Sequence, residues 1–67
     1  MDKITEIERL LIGYLKSSKA SEATRAITFI SLRTDDQMIE MCDYLSKHAE
    51  ATDKEIIAMA QRIAETA

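Results

Sequence analysis

The sequence predicts an all-α protein: one helical domain over residues 1–67, built as a small bundle of three or four short helices and associating as a dimer. Three observations predict the helices. The chain has no proline and a single glycine, the two residues that most often punctuate helices. It is rich in the good helix formers Ala, Leu, Met, Glu, Lys and Arg. Its apolar residues recur at spacings of three and four in several segments. The dimer follows from size. A chain of 67 residues buries too little surface for a comfortable core and usually needs a staple. One cysteine excludes an intrachain disulfide, and one cysteine with one histidine is too little for a structural zinc site. A second copy is the remaining staple, and a hydrophobic content of 46% suits it.

The first element is expected from Asp2 to about Ser17, capped by Asp2. Ile4, Ile7, Leu11 and Tyr14 form its stripe, widened by Leu10, Ile12 and Leu15 into an arc that more than one neighbour must cover. Gly13 lies inside this helix, at a cost of about 1 kcal/mol relative to alanine; close approach of a neighbouring helix is the expected reason. "KSSKAS" breaks the register, and its serines favour local bonds over helix continuation. Ser18 or Ser21 is expected to cap the second element. That element runs to about Leu32, with Ala23, Ala26, Ile27 and Ile30 as its apolar face. Its "ITFISL" has strand character, but nothing else in the chain offers a partner strand, so it is read as helix.

"RTDDQ" opens the third element. Thr34 and Gln37 have capping-box spacing, with Asp35 and Asp36 in the first turn, where acids suit the helix dipole. Met38, Met41, Cys42, Leu45 and Ala49 share a face. Thr52 and Glu55 repeat the box and predict a fourth helix from Asp53, with Ile56, Met59, Ala60 and Ile63 inward. One alternative is open. Met38, Cys42, Leu45, Ala49, Thr52, Ile56, Met59 and Ile63 alternate by four and three, as a heptad seam does. Residues 35–66 would then be one long helix, and the protein a helical hairpin dimerising into a four-helix bundle. That arrangement strands Ile39, Met41, Tyr44 and Ile57 outside the seam, so the turn is preferred.

Little here resembles catalytic chemistry. Cys42 sits on an apolar face without an activating base. His48, six positions on, points away from it around a helix. Asp35 and Asp36 lack the alternating acids and glycine turn of a calcium loop. No glycine-rich loop can cradle a phosphate. The expectation is a non-enzyme with no metal and no cofactor.

Charge is uneven. Residues 1–33 hold six Lys/Arg against four Asp/Glu, and residues 34–67 hold three against eight. The acidic second half repels phosphate and suits a protein partner with a basic surface. A helix-turn-helix would send the first residues of its second helix into the major groove. Here these are Asp53, Lys54 and Glu55, two acids and no base-reading arginine or asparagine. Lys16, Lys19, Arg25 and Arg33 are the remaining basic residues that could meet nucleic acid, without aromatic interleaving.

The stretch "CDYLSKHAE", Cys42 to Glu50, resembles part of the Rop family of small plasmid RNA-binding proteins, through Cys42, Leu45, His48 and Ala49. The resemblance covers nine of 67 residues and implies a dimer of helical hairpins. The residues with which that family contacts RNA have no counterparts in this chain.

The function expected is that of a non-catalytic regulatory or accessory protein acting by helix-mediated contact. A small nucleic-acid-binding regulator is the alternative, and mimicry of nucleic acid by the acidic half is a third reading. The candidate association face is Leu10, Leu11, Tyr14, Leu15, Met38, Met41 and Leu45. Without a signal-like or membrane-length apolar run, and with a lone thiol, the expected location is the cytoplasm.

Overall fold

The computed structural model describes residues 5–66. Four helices follow one another: α1 (Glu6–Ser17), α2 (Glu22–Ser31), α3 (Asp35–Lys47) and α4 (Asp53–Ala64). The continuous helix over residues 35–66 is not formed, because His48 caps α3 and Thr52 starts α4. Folding back at this corner places Met41 inside the core, where the long helix would have left it outside its seam.

Local chemistry sets each boundary. Both boxes read from the sequence are present: Thr34 with Gln37 on α3, and Thr52 with Glu55 on α4. A third, Thr5 with Glu8, starts α1. The expected cap Asp2 and the stripe residue Ile4 lie outside the described residues. The Thr-x-x-Glu spacing at Thr5 is the same signal that marks Thr52, and it locates the cap of α1 at Thr5. Ser21 caps α2, its hydroxyl accepting the Thr24 N–H at 3.2 Å. α1 ends in a Schellman motif: Ala20 N–H donates to the Leu15 carbonyl and Lys19 N–H to the Lys16 carbonyl, each at 3.1 Å. That motif needs a left-handed residue, and Lys19 supplies it at φ 62°, a conformation that costs a lysine about 1–2 kcal/mol.

α1 packs chiefly on α3, α3 on α4, and α4 on α2. The two later helices are therefore central, and the two earlier ones flank them. The core comprises Leu11 and Leu15 of α1, Met38, Met41, Cys42 and Leu45 of α3, and Ile56, Ala60 and Ile63 of α4, with Ala20 and Leu32 from the links. Two polar cross-links tie the helix ends together. Ser21 N–H donates to Asp53 Oδ1 at 3.3 Å, joining the starts of α2 and α4. Gln37 Nε2 donates to the Thr66 carbonyl at 3.2 Å and the Ile63 carbonyl at 3.4 Å, joining the start of α3 to the end of α4.

α2 is rotated relative to its expected orientation. Ala23, Ala26, Ile27 and Ile30 face outward, and Thr24 and Thr28 are buried. The reason lies at its ends. Ala20 and Leu32, just outside the helix, are both buried, and with Thr24 and Thr28 they recur every fourth residue, so the anchored ends fix the rotation. Burying the threonines is tolerable because their hydroxyls are satisfied. Thr28 Oγ1 donates to the Thr24 carbonyl at 2.8 Å, and Thr24 Oγ1 accepts from Ser21 Oγ at 3.0 Å. Gly13 also departs from expectation. A Cβ built on it meets nothing within 4 Å, so no neighbouring helix among the described residues approaches it.

Candidate functional site

The residues considered for chemistry are dispersed. Cys42 is buried in α3, and burial pushes its thiol pKa up, away from the reactive thiolate. His48 stands exposed at the end of α3, its ring 4.7 Å from that of Tyr44. Asp35 and Asp36 lie exposed in the first turn of α3. Among the described residues, no group of three or more His, Cys, Asp or Glu is placed to hold a metal ion.

At the surface, the start of α4 is tied to the start of α2 through Asp53 and capped locally through Glu55. Asp53 accepts from Ser21, and hydrogen bonding from that residue holds its carboxyl below the usual range. Glu55 accepts the Thr52 N–H at 2.8 Å and the Thr52 hydroxyl at 3.1 Å; these bonds lower its pKa, the backbone one most. Both carboxylates therefore stay ionised at the helix entry that a DNA reader would present to phosphates. Of the four basic residues, Lys16, Lys19 and Arg33 are exposed and Arg25 is half-buried.

Of the seven residues of the candidate association face, Leu11, Leu15, Met38, Met41 and Leu45 are interior. The other helices of the same chain cover these five side chains. Leu10 is exposed and Tyr14 half-buried. They line an open groove of about 440 Å³ on α1 together with Glu6, Arg9, Gly13 and Ser17.

Apart from Leu10, the apolar surface lies elsewhere than expected. Among the described residues, four large apolar side chains stand outside the core: Ile30 is 78% exposed, Leu10 54%, Ile39 50% and Ile27 37%. Ile39 stands on the acidic face of α3, with Asp35, Asp36 and Asp43 at the i−4, i−3 and i+4 positions that neighbour it on a helix. Asp43 is partly neutralised by Lys47 at 3.2 Å, an exposed pair of small energetic weight. On α2, Ala23, Ala26, Ile27 and Ile30 make a continuous apolar stripe, with Glu22 at its start and Arg33 beyond its end. A helix whose isoleucines are expected in the core thus carries the most exposed of them. The buried spacing of Ala20, Thr24, Thr28 and Leu32 is the signal in the sequence that points to it.

No protein-family model, curated protein or solved structure matches the chain. The local resemblance to Rop does not extend to architecture, since α3 and α4 are separate short helices and the chain closes a four-helix core by itself. No helix among the described residues is long and apolar enough to cross a membrane.

Proposed function

We propose that the protein is a non-catalytic interaction module that works through the outer faces of its helices. The observation that supports this reading is the placement of Leu10, Ile27, Ile30 and Ile39 outside a core already filled by the inner faces. Ile27 and Ile30 share one face of α2, and apolar side chains grouped in this way with a polar rim are the usual anatomy of a protein contact. On α3 the anatomy is specific: an apolar anchor, Ile39, among carboxylates. It suits a partner that presents a basic rim around an apolar pocket, and ionic attraction would speed encounter with such a partner.

A photo-cross-linking residue at position 39, and separately at 10, 27 and 30, tests the reading in cells. Protein adducts of defined mass from position 39, weakened by high salt, are the expected result. Nuclease-sensitive adducts would instead favour a nucleic-acid-binding regulator. Absence of adducts from all four positions would overturn the contact reading.

A further inference from the structure

We propose that α2 is a self-association surface, on which a second copy of this chain packs its own α2 antiparallel about a two-fold axis between Ala26 and Ile27. This deepens the contact reading above and rests on it.

The rotation of α2 is the first support. An amphipathic helix ordinarily turns its apolar side to the core. Here the threonines face in and are hydrogen-bonded, while two alanines and two isoleucines face out. From Ala23 to Ile30 this outward stripe contains no charged residue.

The pattern of the stripe selects the occupant. It reads small, small, large, large: Ala23, Ala26, Ile27, Ile30. In an antiparallel crossing about its centre, Ala23 lies opposite Ile30 of the second copy, and Ala26 opposite Ile27. Every large side chain then meets a small one, the interdigitation that close packing needs. A parallel crossing sets isoleucine on isoleucine and leaves gaps between alanines. An isologous contact must be self-complementary, with each residue meeting its reciprocal, and this order of side chains meets that requirement.

Charge supports the same direction. Glu22 begins the stripe, and Arg33 lies beyond its end, lining the same surface groove as Ile30. Antiparallel packing brings Glu22 of each copy towards Arg33 of the other, at both ends of the contact. Parallel packing sets like charge beside like charge. A contact of two short helices falls below the ~1,200 Å² of stable interfaces, so the dimer is expected to form with rising concentration rather than to be obligate.

Two measurements decide it. Sedimentation equilibrium across a wide concentration range should show a monomer–dimer equilibrium, and Ile30→Glu should weaken it roughly tenfold or more, through lost burial and a charge placed near Glu22 of the other copy. Ile30 is mostly exposed, so helicity and the dilute-solution melt of this variant should match the wild type and show that the monomer still folds. Cysteine cross-linking in a Cys42→Ser background reads the direction. Ala26→Cys should form a disulfide dimer by itself, because it lies beside the axis. Ala23→Cys and Ile30→Cys should cross-link when mixed and not when alone. A monomer at every concentration, an unaltered equilibrium with Ile30→Glu, or cross-links of Ala23→Cys with itself would each overturn the proposal. A monomer whose position 39 still captures a protein would overturn the dimer and leave the contact reading standing.

Discussion

Replacing Gly13 with alanine should stabilise the protein, and the structure sets the size of the gain. Gly13 lies in the middle of α1 and has no positive φ, so alanine adopts the same backbone without strain. Its Cβ would meet nothing within 4 Å among the described residues, so no repacking of theirs opposes it. The gain is then the full difference in helix propensity, about 0.8–1.0 kcal/mol, much of it from the reduced freedom of the unfolded chain. For a domain of this size that corresponds to a rise in Tm of about 4–8 °C. Thermal melts followed by circular dichroism, with urea titrations at fixed temperature, measure it. The two-fold contact proposed on α2 leaves α1 free, so the gain should be equal in dilute and concentrated solution. A Gly13→Ala protein no more stable than wild type would refute the argument, and would mean that the space over Gly13 is filled in the folded protein.

Lys19→Gly should also stabilise: relief of the left-handed lysine outweighs the entropy that glycine adds to the unfolded chain, leaving a net gain of about 0.5–1 kcal/mol in melts. Thr52→Ala should cost about 1 kcal/mol in urea titrations, because it removes the cap that starts α4; unchanged stability would sink the assignment of the corner to that cap. Gln37→Glu should destabilise although it preserves capping-box chemistry, since the amide that donates to Ile63 and Thr66 is replaced by a carboxylate facing the carbonyl end of α4; a neutral result in melts would show that this cross-link carries no weight. The pKa of Glu55 is depressed below its ordinary 4.5 in the folded state, so its contribution is present above that value and lost as the pH falls through and below it. The stability difference between wild type and Glu55→Gln should therefore be greatest near neutrality and shrink in acid, and a difference independent of pH would refute its ionic origin.

Features set by short-range chemistry are legible in the sequence. Thr34, Gln37, Thr52 and Glu55 lie within three residues of their partners, so their boxes can be read without knowing the fold. The inward residues of α3 and α4, Met38, Cys42, Leu45, Ile56 and Ile63, follow from periodicity because the core side of each helix repeats at three and four. The rotation of α2 does not, because Ala20 and Leu32 beyond its ends decide it and the helix window alone favours the isoleucines. Leu11, Leu15 and Met41 suggest a second copy because their wide arcs are ambiguous until the number of helices within one chain is known. The second task of Gln37, holding the end of α4, joins residues 29 apart in sequence and leaves no local trace. The same limit applies to the candidate surface: periodicity puts Ile39 off the core face, but only the closed core shows that it stays outside.

The order in which the helices pack bears on how the protein is made. α1 rests on α3 and α2 on α4, so each of the first two helices waits for one synthesised after it. A nascent chain that has released only its N-terminal half holds two amphipathic segments with no surface to lie on. α3 and α4, adjacent in sequence and in space, can pair by local contacts as they emerge, and the earlier helices then dock on them. Until that moment Leu11 and Leu15 are as open to water as Ile30 is in the folded monomer, and a ribosome stalled before α3 would hold a chain that a chaperone, rather than its own fold, must keep soluble.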